Sequence, residues 1–105
     1  MITHIVLFKL MEMPDSERRS VRLELKQKLE ALRDKIPVVV QLDVALNTLH
    51  EEKNYDLMLY SRFETADDLE AYRVHPAHQE VVARIAQVAA ARAPIDFESF
   101  QTPGL

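Results

Sequence analysis

The sequence predicts an α+β fold in which strands and helical stretches follow one another as β-α-β-β-α-β. Three observations predict it. The apolar period switches between about 2 and about 3.6 residues in that order along the chain. Two of the strands, over residues 4–10 and 55–63, are apolar on both faces, as central strands of a covered sheet must be. The single glycine, Gly104, falls in the last five residues, so prolines and polar residues delimit the elements instead.

Residues 4–10 alternate, with His4, Val6, Phe8 and Leu10 on one face and Ile5, Leu7 and Lys9 on the other. A turn with a helix N-cap follows at Met13, Pro14, Asp15 and Ser16. A helix is predicted over 15–35, because Val21, Leu25, Leu29, Leu32 and Ile36 step by three or four residues into one stripe. Its other face carries Arg18, Arg22, Lys26, Glu30 and Arg33 and reads as solvated surface, and Pro37 ends it. A second strand over 38–46 shares Val38, Val40, Leu42, Val44 and Leu46 on one face. The polar loop 47–54 holds an exposed His50, and the third strand occupies 55–63. Thr65 to Asp68 resembles a capping box that opens a short helix ending near Val74. Pro76 suits the first position of a third helix, expected to run to about Arg92 on Val81, Val82, Ile85, Val88 and Ala89. Pro94 is expected to end it, before a fourth strand over 95–100 and a tail over 101–105.

This order is the split-βαβ, ferredoxin-like arrangement, with strands one and three central and two and four at the edges. The edge strands are expected to alternate more cleanly than the central pair. The helices can cover only one sheet face. Ile5, Leu7, Met58 and Tyr60 on the other face need a second cover, and a second copy of the sheet supplies it most simply, as a two-fold homodimer. The 105 residues suffice for one domain, 1–105, with one core.

Composition excludes several functions. With 13 Lys+Arg against 17 Asp+Glu and no basic block, the chain is unsuited to nucleic acid or an anionic membrane surface. It has no cysteine, which removes disulfides, thiolate chemistry and cysteine metal sites and agrees with a cytoplasmic location. No apolar run approaches the ~20 residues of a membrane span. The apolar start, residues 1–11, lacks a basic region and a cleavage site and reads as a strand, not a signal peptide. With its one glycine at the end, the chain cannot build a phosphate cradle, so P-loop and dinucleotide sites are excluded.

One segment is not explained by folding needs. Tyr72, His75, Pro76 and His78 place two of the four histidines and one of the three tyrosines where a helix begins. With Pro76 at the first helical position, His75 is the N-cap and His78 the third residue. The positive helix end then favours a neutral His78 ring, able to accept a proton or polarise a carbonyl. Tyr72, one turn earlier, offers a phenol that can stabilise an oxyanion. His4 shares a strand face with Val6 and Phe8 and lies under the same region if that face meets the helices. His4 equally suits a satisfied core histidine, and Tyr72 a core aromatic with its hydroxyl at the rim. The spacing of His75 and His78 does not make a metal site, since a capping ring points elsewhere and no third ligand stands at fitting spacing.

The start around His4, the segment 55–63, and the Tyr72, His75, Pro76, His78, Gln79 element together resemble the stress-responsive dimeric α/β-barrel (Dabb) family, from His4 to about Phe100. The resemblance implies a homodimer whose two sheets close into a dimeric α/β barrel. It includes olivetolic acid cyclase, a member that cyclises a linear polyketide with a Tyr–His pair and no cofactor. That implies catalytic roles for Tyr72 and His78, and a small apolar pocket between sheet and helices bounded by His4, Val6, Leu29, Leu57, Leu59, His75 and Val82. Leu29 and Leu57 stand where that cyclase has a tyrosine and a histidine, so the pocket here is more aliphatic and the cyclase's substrate does not carry over. The expected functions are therefore cofactor-free proton abstraction, as in a lyase or cyclase acting on a small carbonyl or polyketide-like compound, or a non-catalytic stress-response or ligand-binding dimer. A monooxygenase on the same barrel is a third, weakened by the absence of tryptophan and of that family's motif.

Overall fold

Alternation along the first strand sorts the molecule into two layers. A computed structural model describes residues 1–100; the expected tail, with Gly104, lies outside the described residues. The elements are β1 (Ile2–Leu10), α1 (Asp15–Glu30), α2 (Leu32–Lys35), β2 (Gln41–Leu46), β3 (Leu57–Phe63), α3 (Ala66–Val74), α4 (Pro76–Val88) and β4 (Ala89–Glu98). The four strands form one antiparallel sheet in the order β2-β3-β1-β4, which is the ferredoxin-like topology. Strands one and three are central, and in the single chain the sheet is open, with β2 and β4 as its edges.

The helices pack on one sheet face. His4, Val6, Phe8 and Leu10 of β1 are buried beneath them, as are Leu57, Leu59, Ser61 and Phe63 of β3 and Leu42 and Val44 of β2. The predicted stripe of the first helix, Val21, Leu25, Leu29, Leu32 and Ile36, is buried throughout, although the helix is interrupted at Ala31. Thr65 caps α3 as expected, its hydroxyl accepting from Asp68 N–H at 3.1 Å.

The last helix and strand depart from expectation. The helix ends at Val88 instead of Arg92, and β4 begins at Ala89, six residues before the expected start. Ala89, Ala90 and Ala91 have high intrinsic helix propensity, but β1 is a central strand whose outer backbone groups need a partner along its whole length. β4 supplies it, pairing from Leu10↔Ala89 to Ile2↔Glu98. Pro94 lies inside this strand, opposite Val6, where an edge position tolerates the missing N–H. Nor does β4 alternate cleanly: nearly all of it is exposed in the single chain.

Two other strands start later than expected. The second begins at Gln41, because Val39 N–H turns back to Ile36 C=O at 3.1 Å and leaves Val40 exposed. The third begins at Leu57, because Asp56 is a buried anchor whose carboxylate accepts from Leu10 N–H at 2.7 Å and from Arg18 at 2.9 Å.

The solvated-face reading of the first helix fails for several of its residues. Arg22 is buried, donating to Asn47 C=O and, at 3.3 Å, to Glu51. Lys26 donates to Val44 C=O at 2.6 Å, Arg33 to Leu42 C=O at 3.1 Å, and Glu30 accepts from Val44 N–H at 3.1 Å. Lys26, Arg33 and Glu30 thus satisfy outward backbone groups of the edge strand β2, which would otherwise template aggregation, and Arg22 satisfies one just beyond it.

Candidate functional site

The junction between α3 and α4 sets the site. His75 is the N-cap of α4, its Nδ1 accepting from Ala77 N–H at 3.0 Å, with Pro76 at the first helical position as predicted. The C=O of Arg73 at the end of α3 accepts from Gln79 at 2.7 Å and from His78 Nδ1 at 2.9 Å. A carbonyl can only accept, so His78 carries its proton on Nδ1 and leaves Nε2 with a lone pair when neutral. Loss of solvent holds the His78 imidazolium below the ordinary histidine range. His4 and the guanidiniums of Arg73 and Arg92 push the same way, against the Arg73 carbonyl.

Tyr72 is fully buried next to it. Its ring centroid lies 4.4 Å from that of His78, 5.0 Å from Phe63 and 6.5 Å, edge-on, from His4. Burial raises the phenol well above its usual pKa. Among the described residues its hydroxyl and Arg22 Nε are the buried side-chain polar atoms without a hydrogen-bond partner. His4 is buried on β1 opposite Asp96 of β4, whose carboxylate accepts from His4 Nδ1.

A cavity of about 240 Å³ opens between sheet and helices at this point. His4, Val6, Phe8, Leu29 and Leu59 form its inner walls, His78, Val82 and Ile85 of α4 its side, and Glu70, Arg73, Val74, Gln79 and Arg92 its rim. The fold thus brings together His4, Val6, Leu29, Leu59, His78 and Val82 of the expected set. Three expected residues do not line it. Tyr72 stands behind His78, His75 is committed to capping, and Leu57 lies further along β3, in register with Phe8 and Leu46.

Asp96 and Arg92 were not legible as site residues. Antiparallel register against His4 and Phe8 is the signal that places them, and it requires β4 to start at Ala89. Glu70, Arg73 and Gln79 are surface-type residues that only the α3–α4 packing brings to the rim. A larger cleft of about 460 Å³ lies on the opposite face of the sheet, against Leu7, Ala45, Tyr55 and Met58, and has no histidine in its lining. Among the described residues no three or more carboxylate or imidazole groups converge as metal ligands, and no helix is long and apolar enough to cross a membrane.

Comparison with known proteins agrees with this fold. The sequence profile of the Stress responsive A/B Barrel Domain (Dabb) matches residues 2–99. A dimeric protein of unknown function and ferredoxin-like fold from Bacteroides fragilis is 35% identical, with a TM-score of 0.86 over 93% of this chain and 95% of that one. A Dabb family protein from Mesorhizobium loti, with a ferredoxin-like fold, is 22% identical, with a TM-score of 0.71 over 95% of this chain and 97% of that one. An antibiotic biosynthesis monooxygenase shares the fold at 11% identity, with a TM-score of 0.77 over 96% of this chain and 100% of that one. No curated protein matches the chain.

Proposed function

The chain belongs to the stress-responsive A/B barrel (Dabb) family, and on that premise we propose that it works as a homodimer in which each protomer binds a small, largely apolar carbonyl compound and removes a proton from it without a cofactor. The observation that carries this reading is the pairing of a buried, unpartnered Tyr72 hydroxyl with a His78 whose Nε2 is left free by the Arg73 hydrogen bond. Buried polar atoms without partners are rare, and a bound carbonyl oxygen would supply the missing one. In this reading His78 Nε2 accepts a proton from the carbon next to the carbonyl. Tyr72 O–H then donates to the enolate oxygen as charge develops there. Because the Tyr72 hydroxyl is enclosed, the His78 ring or its neighbours must shift for the two to meet a common ligand. His4, held by Asp96, lines the same cavity.

A reaction class follows. Abstraction next to a carbonyl begins aldol-type cyclisations, isomerisations and eliminations alike, so a lyase or cyclase acting on a small polyketide-like compound fits the site. The homodimer is supported by the apolar open face of the sheet and by the dimeric relative from Bacteroides fragilis. A second copy laid on that face would close the two open sheets into a barrel.

The test is deuterium incorporation from heavy water into a panel of small β-diketones and aryl ketones, followed by NMR. Wild type should exchange the proton next to the carbonyl faster than buffer, and His78→Gln should lose about 10²–10⁴ of that rate. Exchange that is equal in wild type and variant would end the catalytic reading. The enclosed position of Tyr72, packed against Phe63 and His78, favours the second reading in that event: a ligand-binding dimer without turnover.

A further inference from the structure

Arg92 carries a positive charge at the rim of the cavity. It lies on β4 opposite Phe8, which places it on the helix-facing side of the sheet, at the cavity rim. Among the described residues its guanidinium makes no ion pair and no side-chain hydrogen bond, whereas Arg18, Arg22, Arg33 and Arg84 are all engaged with acids or carbonyls. The other charged groups around the cavity have partners. Arg73 and Glu70 pair at 3.4 Å, and Asp96 accepts from His4. Arg92 is thus the rim cation that faces no acid, beside walls made of Val6, Phe8, Val82 and Ile85.

We propose that the ligand of this cavity is an amphiphilic monoanion: a small carboxylic acid with an aromatic or short alkyl body, its carboxylate on Arg92. This deepens the reading of the cavity as a ligand site and rests on it. An apolar body matches the aliphatic walls. The volume of about 240 Å³ falls below the usual range of about 300–1,000 Å³ for ligand sites, which limits the body to about one ring. A carboxylate matches the guanidinium fork, which binds it through two parallel hydrogen bonds. The anion also has a local consequence. Placed on Arg92, it offsets one of the charges that hold the His78 imidazolium down, so ligand and proton bind cooperatively.

The test uses the full chain with benzoate and its neutral counterpart benzamide as probes, titrated at pH 7 and followed by NMR at the His78 ring. Benzoate should bind about tenfold tighter than benzamide, the weight of one charge-assisted hydrogen bond, and should raise the His78 pKa where benzamide does not. Arg92→Gln should bring the two probes to parity, and Arg92→Lys should retain part of the preference. Arg92 is exposed on an edge strand, so both variants should melt with wild type. Equal affinities in wild type, a benzoate preference that survives Arg92→Gln, or no saturable binding of either probe would each overturn the assignment. Its failure is separable from that of the catalytic reading. His78-dependent proton exchange with indifference to Arg92 removes the anion site alone. An Arg92-dependent preference without exchange removes the catalysis alone.

Discussion

Tyr72 and His78 lie ring to ring, centroids 4.4 Å apart and planes inclined by 49°, with the phenol wholly enclosed and the imidazole partly exposed. The contact joins the last turn of α3 to the first turn of α4, across the break at His75 and Pro76. Its chemical weight turns on the hydroxyl, which is buried and has no partner among the described residues.

That hydroxyl makes the first prediction. Removing an unsatisfied buried group relieves a desolvation penalty of about 1–3 kcal/mol, so Tyr72→Phe should be as stable as wild type or more so by about 1 kcal/mol. Tyr72→Ala removes the whole packed ring and should cost about 3–5 kcal/mol. Urea melts of the three proteins measure both. A loss above about 2 kcal/mol in Tyr72→Phe would mean that the hydroxyl serves the fold, not a ligand.

The second prediction concerns acid. His78 has a folded-state pKa below its unfolded value near ~6.5. Between those two values the unfolded chain binds more protons than the folded one, so stability falls as pH drops below the unfolded value and levels off beneath the folded one. At pH 7 the ring is neutral. Stability measured from pH 7.5 to 5 should decline more steeply in wild type than in His78→Gln, and an NMR titration should put His78 below ~6.5. Parallel pH profiles, or a pKa above ~7, would contradict this.

Much of this architecture was legible because period and face are local properties. Strand one sorted His4, Val6 and Phe8 from Ile5 and Leu7 by alternation alone, and the fold keeps that division. Pro76 placed His75 and His78 at the cap and third position of α4, where they are found. What was not legible depends on partners distant in sequence. The alanines at 89–91 read as helix until β1's need for an edge partner is counted. Arg22, Lys26 and Arg33 read as solvent-facing charges, yet they serve carbonyls along and just beyond β2. Arg92 reaches the cavity rim and Asp96 the His4 ring only through β1–β4 register, and of the β3 leucines it is Leu59, opposite Val6, that lines the cavity in place of Leu57.

Asp56 gives a third prediction of the same long-range kind. It is 3% exposed, and its carboxylate receives Leu10 N–H and Arg18 together, tying the end of β1 to α1 and the start of β3. Asp56→Ala would strand a buried N–H and leave Arg18 to resolvate, at a cost of about 2–3 kcal/mol. Arg18→Ala leaves the buried Asp56 carboxylate with Leu10 N–H as its remaining partner of the two and should cost about 1–3 kcal/mol. A double-mutant cycle on the pair should show coupling. Near-neutral behaviour of Asp56→Ala would show that the anchor is replaceable by water.

The last prediction is the homodimer. On the face away from the helices, register aligns Ala45, Met58, Leu7 and Ala93 across all four strands, and beside them Asp43, Tyr60, Ile5 and Ile95. Leu7 is 38% and Ile95 58% exposed in the single chain, and Asp43, the one acid of these two rows, is turned to Arg33 at 3.2 Å. An apolar patch of this kind, two rows across four strands and continuous with the exposed β4, stays in water only at a cost that a second copy removes. The interface should bury more than about 1,000 Å² and be more apolar than ordinary surface. Sedimentation should therefore give twice the 12.1 kDa of one chain at micromolar concentration. Leu7→Asp and Met58→Asp each place a charge in the central row. Both should yield aggregated or unfolded protein, because the freed face has no other cover. Glu52→Lys, a change of charge in the exposed 47–54 loop, should leave the dimer intact and controls for charge alone. A stable, well-folded 12.1 kDa species for wild type would remove the dimer, and with it the closed barrel.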